Sequence, residues 1–578
     1  MHLLKKIFRW FSEGESARAS MRGASTGATA NIADPDAHAR LVREAAAHVA
    51  AGRLAEAERA LMDALSERHD DAEALLLQGL LLKQQGRLEE AMDSLLLAAH
   101  FRPDLAEAHY QLGLIVSSQG GLTGAEQHYR RALRADPRHA QAYVALGALL
   151  VEREALDEAV DCFRAALAIH PDYAQAHSNL GLLMAARLDR FSEAAPHLQK
   201  AWRLAPDDPN VMCNWAMYLH QRGELDESIA LLDRLIEADA TDPIPRLNRA
   251  LARLKMGDFS RGWVDYEARK QAGWPYSARA FAFPEWKGGE LADRKILVHA
   301  EQGLGDQIMF ASCLPELMAV AGHCVIECAP KLEALFRRSF PSATVISSAG
   351  NEDGSSDEKF RGIDCYVAMG SLPLYFRKGW DAFPVHRGYL RADPQQIAAW
   401  RRRLTELPGR HKIGITWRGG ASSTRRSVRS VALDQWLPIL RRADTTFVSL
   451  QYTDCREELE QIRRDHGIQI HHWQEAIDDY DQTAALVSAL DLVVSVQTAI
   501  VHLGGALGKP VWVMVPAVAE WRYLQRGERL PWYPAVRLFR QRSPGEWGPV
   551  VEEMVRALAL DVPVVVETGH GANWFEAH

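Results

Sequence analysis

Two patterns in the 578-residue sequence predict an α-solenoid followed by an α/β region of two Rossmann-like units. The first is a recurrence of small residues and prolines every 34 residues over residues 38–276. The second, from about residue 290 onward, is an alternation of short apolar runs with helical stretches, the pattern of parallel strands joined by crossover helices. A third observation fixes where chemistry belongs. In Lys295–Gln307, KILVHAEQGLGDQ, a strand ends in a glycine turn that opens a helix at Asp306. That order sets backbone N–H groups and one carboxylate at the carboxyl edge of a sheet, where open α/β folds bind ligands.

Composition narrows the classes. With 47% hydrophobic and 25% charged residues the chain is an ordinary globular protein, and a net charge of −8 supplies no field for nucleic acid. No apolar run approaches the ~18 residues of a membrane span. Seven cysteines, at 162, 213, 313, 324, 328, 365 and 455, form no disulfide framework and point to a reducing, cytoplasmic setting. Cys324 and Cys328 share one face of a strand-like run and read as buried thiols, with no second pair to complete a metal site.

Residues 1–37 read as a flexible N-terminal extension: a basic and apolar start, MHLLKKIFRWF, able to associate weakly with a surface through residues 1–11, then a Ser/Gly/Ala/Thr-rich linker. Next come Gly79, Gly113, Gly147 and Gly181, each followed by Ala91, Ala125, Ala159 or Ala194, with Pro103, Pro137, Pro171 and Pro206 closing the units. Small residues let two antiparallel helices approach, and proline stops the second helix. This is the tetratricopeptide signature. Extended to Ala45 and Ala57 on one side and Ala216 and Ala250 on the other, it gives about seven repeats over 38–276. Such repeats stack into a groove that takes an extended peptide or a partner helix, unless the solenoid is purely architectural. Asn179, Asn214 and Asn248 recur two residues before the small position of a first helix, and such a ladder can pair with peptide backbone, so they are the candidate acceptor-binding residues. Phe259, Trp263, Tyr266 and Trp274 are placed to cap the solenoid and pack it on the α/β region, with Pro284–Gly289 as the boundary.

The first α/β unit with its linker covers 277–405: strands in HCVIECA, ATVISS and DCYVAMG, a charged loop at Asn351–Lys359, and a linking helix at Gln395–Leu404. The second covers 406–578 with its tail. It starts at KIGITW, passes the arginine-rich loop RGGASSTRRSVRS, and reaches DLVVSVQTAIVHLGGALGKPVWVMV, a strand, short loop, small-residue helix and strand. The two units are expected to face each other across a cleft.

GLGDQIMFAS, ITWRGG, VSLQ, VSVQTAIVHLGGALGKPVWVMVP, EWRYL and PWYPAVRLFRQ together resemble the C-terminal part of bacterial tetratricopeptide-repeat glycosyltransferases. These are similar to the heptosyltransferase-like family 9 and, more distantly, to the O-GlcNAc transferases, all of GT-B architecture. The resemblance spans about 257–560. It implies a cytoplasmic, inverting transferase that moves a sugar from a nucleotide-sugar co-substrate to a protein in the repeat groove, flagellin or another surface protein by family analogy. It places the catalytic base at Asp306 and the nucleotide-sugar site in the segment around Thr498 and His502. The family segment has Asp-Thr where this chain has Gln497–Thr498, and Arg418 stands where many relatives carry a small residue.

The residues bear an independent reading. A departing diphosphate needs its charge stabilised by a metal or by protein donors. Asp479 and Asp481, the one Asp-x-Asp of the region, fall in a helix-like stretch and read as a solvated face, so no metal or other cofactor is expected. Arg425, Arg426 and Arg429 lie on the loop after a strand, and Thr498 opens a helix at Ala499 whose N-terminus favours an anion. Gly303, Gly305 and Gly505 permit close approach of a ligand or a neighbouring strand. Trp417, Arg418, Gln451, Gln497, His502 and Trp521 lie near the same edge as donor contacts or as packing. Asp306 is either the base or merely a helix cap. Two rival functions stay open: a non-catalytic scaffold with a degenerate transferase region, which Gln497 favours, and a transferase acting on lipid-linked glycan.

Overall fold

The computed structural model describes residues 37–188, 190–272, 279, 281–348, 360–420 and 426–560. The expected N-terminal extension, Trp274, the charged loop 351–359, Arg425 and the C-terminal tail lie outside these residues. The chain divides into two compact units at Tyr218/Leu219.

The first unit is an α-solenoid. Its helices pair as Ala37–Ala50 with Leu54–Glu67, Ala72–Gln84 with Leu88–Phe101, Ala106–Ser118 with Leu122–Ala135, Ala140–Glu152 with Leu156–Ile169, and Ala174–Ala186 with Phe191–Leu204. The helix Pro209–Arg222 comes next and contains the boundary. The glycine recurrence has a packing cause. A Cβ added at Gly79, Gly113, Gly147 or Gly181 would lie 2.6, 2.5, 2.7 or 2.6 Å from a carbon of Leu95, Tyr129, Phe163 or Leu198. Each glycine of a first helix is thus the socket for a large side chain of the second. Ala91, Ala125, Ala159 and Ala194 are fully buried at the same crossings. The turn between the helices needs a left-handed residue, supplied by Gly52, Gly86 and Gly120 and, in the fourth pair, by Glu154 with φ 64°. Glu154 is held there by an ion pair with the buried Arg187.

The second unit opens with three helices, Leu225–Ala238, Pro243–Met256 and Phe259–Tyr266. Trp263 is buried, donates from Nε1 to the Arg377 carbonyl at 3.0 Å, and meets Phe310, Trp521 and Trp532 edge to face. The last helical pair is therefore part of the α/β core rather than a cap on it.

Two sheets complete the unit. The first has the order β3-β2-β1-β4, with β1 Lys295–His299, β2 His323–Cys328, β3 Thr344–Ser347 and β4 Cys365–Ala368, all parallel. The boundary segment around Glu285 bridges to Tyr366 on β4. The second has the order β10-β11-β9-β8-β5-β6-β7. Its strands are β5 His411–Thr416, β6 Thr445–Ser449, β7 Ile470–His472, β8 Leu492–Ser495, β9 Val511–Val515, β10 Arg529–Leu530 and β11 Tyr533–Arg540. All neighbours are parallel except β10 and β11. Near-continuous apolar runs make strands buried on both faces. Ile413, Ile415, Phe447, Val494, Trp512 and Met514 form the core under the flanking helices.

In both sheets the direction of winding reverses beside the first strand, between β1 and β4 and between β5 and β8. A crevice opens outside the carboxyl ends of the strands at such a point. The glycine turn after β1 and the Gln497–Thr498 loop after β8 stand at these two places. Among the described residues no helix is long and apolar enough to cross a membrane, and all seven cysteines are free and buried.

Candidate functional site

The turn after β1 is built on a buried ion pair. Arg269, wholly inside the second unit, donates from Nη2 to Glu301 Oε1 at 2.7 Å and to Ser371 Oγ at 2.8 Å, and from Nη1 to Glu267 at 2.7 Å. Gly370 N–H adds 2.6 Å to the same Glu301 oxygen. Burial opposes the charge on Arg269, but Glu301 and Glu267 outweigh it and hold the guanidinium above its usual pKa. Gln302 then takes a left-handed backbone, φ 68°, a conformation that a non-glycine holds only when its surroundings impose it. Tyr266 donates to Gln302 Oε1 at 3.0 Å, and Gln307 Nε2 donates to the Gln302 carbonyl at 3.1 Å.

Asp306 is the third residue of the helix Leu304–Phe310, not its first, and Gly303 occupies the cap position with no side-chain bond. The carboxylate is therefore released from capping. It meets Arg522, whose Nε and Nη2 both reach Oδ1, at 2.6 and 2.5 Å. Among the described residues Oδ2 accepts no hydrogen bond. It lies over the glycine turn, 3.7 Å from where a Cβ on Gly303 would be. Arg522 continues to Glu520 Oε2 at 3.0 Å, and Glu520 Oε1 to Arg429 at 3.1 Å. Burial opposes the Arg522 charge, while Asp306 and Glu520 outweigh it and raise its pKa. A relay of alternating charge, Asp306–Arg522–Glu520–Arg429, thus crosses from the first sheet's loop to the loop after β5.

The second sheet brings the other half. Thr416 and Ser495, paired across β5 and β8, share a 2.5 Å hydroxyl bond, and Ser495 bonds Thr498 Oγ1 at 3.1 Å. Thr498 is the cap residue of the helix Ala499–Ala506, yet its hydroxyl is turned to Ser495 and makes no cap bond. The first N–H groups of this helix are thus not capped by Thr498. Beside it Gln497 is 2% exposed, and neither Nε2 nor Oε1 has a partner among the described residues. Gly305 lets the two halves touch: a Cβ there would lie 3.1 Å from His502 Cδ2 and 3.4 Å from Ala499 Cα. His502 is buried and its Nδ1 lies 3.1 Å from the Tyr533 hydroxyl. Burial, then Arg522, pushes its pKa down to about 3, so it stands neutral between the sheets.

Several expected donor contacts have other tasks. Trp417 is fully buried in the second sheet's core and donates to Glu458 at 3.3 Å, so it packs rather than frames a ligand. Gln451 staples the loop after β5 by accepting from Arg418 N–H at 3.1 Å and donating to the Arg418 carbonyl at 3.3 Å. Arg418 pairs with Glu458 at 3.0 Å. Gly505 receives Tyr533, whose Cγ would be 2.4 Å from an added Cβ, so the close approach is a strand's and not a ligand's. Trp521 joins the Trp263 and Tyr266 cluster, with Arg522 over its ring at 4.7 Å and its Nε1 without a partner among the described residues. Arg426 is half-buried and makes no side-chain bond to a described residue.

The asparagines are closed over. Asn179, Asn214 and Asn248 are 1%, 0% and 7% exposed, and Asn214 Nδ2 donates to Ser178 at 2.9 Å. They are interior groups of first helices rather than an open ladder, because neighbouring helices cover the register position. Asp479 caps the helix Tyr480–Ala489, and Asp481 takes Arg338 in a two-point pair at 2.9 and 2.7 Å. Among the described residues no three His, Cys, Asp or Glu side chains gather to hold a metal ion. Sequence reading missed Arg522, Glu520, Glu301 and Arg269. The first two sit inside the EWRYL motif, beside Trp521.

Models of the tetratricopeptide repeat match residues 79–120, 110–174, 145–209 and 185–254. Those residues are tetratricopeptide repeats. Protein FlbA of Caulobacter vibrioides is 31% identical over 375 residues, a match that spans 62% of this chain and 62% of that protein. Among solved structures, a tetratricopeptide repeat protein from Parabacteroides merdae is 18% identical, covering 41% of this chain and 94% of its own, with a TM-score of 0.34. A thermophilic repeat protein from Thermus thermophilus is 25% identical, covering 32% of this chain and 99% of its own, with a TM-score of 0.28.

Proposed function

We propose that this chain is a glycosyltransferase of GT-B architecture that moves a sugar from a nucleotide-sugar donor to a protein carried by its repeats. The observation that carries the reading is Asp306. Its Oδ1 is fixed by Arg522 and its Oδ2 is uncommitted, at the place where the loop after β1 meets the start of the helix Ala499–Ala506. In the proposed reaction Oδ2 accepts the proton of the acceptor hydroxyl as that oxygen attacks the anomeric carbon from the face opposite the leaving diphosphate, inverting the centre. Arg522 orients the base by holding the other oxygen.

The leaving diphosphate needs donors, and the N–H groups at Ala499, the Thr498 hydroxyl and the guanidiniums of Arg426 and Arg429 supply them. Gln497, with a donor and an acceptor both unpaired among the described residues, is suited to the donor's base or sugar. This chemistry runs on protein charges, without a divalent metal. The repeats bind the protein substrate, since such repeats are protein-interaction modules.

A thermal-shift screen of the whole chain against UDP, GDP, ADP and CMP sugars tests the reading. One donor should stabilise by about 2.7 kcal/mol at a hundredfold excess over Kd. No shift with any of them would leave the chain a repeat scaffold.

A further inference from the structure

Both partners of the Asp306–Arg522 pair stand close to a strained residue, and helices that open the second unit hold each of these residues. On the first sheet's loop the strained residue is Gln302, four residues before Asp306. Tyr266, at the end of the helix Phe259–Tyr266, donates to its side chain at 3.0 Å. On the second sheet's side it is Leu524, two residues after Arg522, with φ 58° and ψ 171°. A left-handed residue ordinarily pairs such a φ with a ψ of about +47°, and the combination at Leu524 belongs almost wholly to glycine. Yet Leu524 is a buried leucine, 4% exposed. Strain of this kind persists only where the surroundings impose it, and it gathers at sites of function.

Two clamps impose it. Arg540, on β11, donates from Nη1 to the Leu524 carbonyl at 3.2 Å, from Nε to the Gly527 carbonyl at 2.6 Å, and from Nη2 to the Tyr523 carbonyl. Among the described residues no carboxylate pairs with it, and burial pushes its pKa down to about 10. Its guanidinium is thus given over to the backbone of 523–527. Gln525 supplies the second clamp. Its N–H donates at 2.8 Å to the Lys255 carbonyl, in the last turn of the helix Pro243–Met256. Its Nε2 donates at 2.7 Å to the Gly223 carbonyl, in the turn before the helix Leu225–Ala238. Leu524 is therefore pinned between a strand of the second sheet and these two helices.

Arg522 leaves the same segment two residues earlier and places both Nε and Nη2 on Asp306 Oδ1. Where the segment lies decides whether those two atoms reach. We propose that Gln525 is a positioning residue through which the helices Leu225–Ala238 and Pro243–Met256 seat Arg522 on Asp306 Oδ1, keeping Oδ2 open to accept a proton. The role given to Asp306 is that of the transferase reading. A displacement of these helices is then a displacement of the base's partner, which ties the base to the helical end of the unit.

Hydrogen exchange read by mass spectrometry on the ligand-free full chain tests the seating. Gln525 is half-buried, and Gln525→Glu keeps its shape while replacing the Nε2 donor by an acceptor. The variant should exchange about tenfold faster in 521–527 and also in 303–310, on the first sheet's loop, with 445–449 unchanged. Gln525→Ala should reproduce this, and Arg526→Ala, at the exposed neighbour, should match the parent. Loosening of 521–527 alone would make Gln525 a local staple and overturn the proposal. Unchanged exchange, or loosening that includes 445–449, would overturn it too.

Nucleotide release from UDP, GDP, ADP and CMP sugars tests the consequence. Gln525→Glu should lower kcat about tenfold with donor Kd within about twofold, because the misplaced group is the base's partner and not a donor contact. In an Asp306→Asn background the same substitution should lower release less than about twofold, since both changes act on one pair. Equal losses in the two backgrounds would contradict the coupling. If the parent releases nothing from any donor, the transferase reading fails and exchange alone decides the seating.

Discussion

The two sheets of the second unit meet their crevice with different groups: paired charges on one side, unpaired neutral groups on the other. On the first sheet's side the buried charges are matched, Arg269 with Glu301, Glu267 and Ser371 and Asp306 Oδ1 with Arg522, while Gln302 Nε2 and Asp306 Oδ2 have no partner among the described residues. On the second sheet's side, among the described residues, Gln497 is buried with both amide atoms unpaired, Trp521 Nε1 likewise, and Thr498 does not cap the helix it opens. Orphaned groups of this sort are rare in native interiors and call for an explanation. The difference teaches a division of labour. In the proposed reaction the first sheet would hold the carboxylate that accepts the proton, and the second would offer donors and acceptors to the sugar nucleotide.

Breaking the matched side at its centre should have the largest effect. Asp306→Asn preserves shape and removes proton acceptance, so turnover should fall by roughly 10²–10⁴ while donor affinity stays within about twofold. Steady-state kinetics beside calorimetric donor binding separate the two.

Removing the buried cation should come next. Arg269→Met leaves Glu301 charged, 4% exposed and without its cation, a loss of about 3–5 kcal/mol read by denaturant unfolding. A loss below about 1 kcal/mol would show that the pair does not hold the turn.

The unmatched side should respond in the reverse sense. Gln497→Leu removes two desolvated, unpaired groups, so the ligand-free protein should gain about 1 kcal/mol while nucleotide-sugar affinity falls about tenfold. Gain without loss would make Gln497 a packing defect with no ligand.

The smallest effect belongs to the solenoid's histidines. Burial, with the neighbouring His109 and Arg131 charges, pushes His128 down to about 4, and burial lowers His109, which also faces Arg134. A depressed histidine binds protons in the unfolded chain before the folded one. Stability is therefore complete above about pH 6.5 and falls as the pH drops toward about 4. H109F/H128F should flatten that slope in thermal melts taken across the range.

Much of this architecture was legible in sequence. The repeats were, because each recurring glycine has a steric reason, a Leu, Tyr or Phe of the next helix seated against it. The parallel strands were, because strands buried on both faces read as apolar runs. β11 was not, since Pro534 lies within Tyr533–Arg540 and proline argues against an inner strand. Asp306 was visible from its turn, but Arg522 is 216 residues away and no spacing announces the pair. The asparagines were visible as a register and misplaced in exposure, because periodicity gives a face without saying what covers it.

The most direct measurement of the central claim is release of nucleotide from the four classes of sugar nucleotide by the purified chain, with and without chelator. The account predicts release from one donor class, at the same rate in chelator, and its loss in Asp306→Asn. No release from any donor, or release that needs added Mg²⁺ or Mn²⁺, would contradict it.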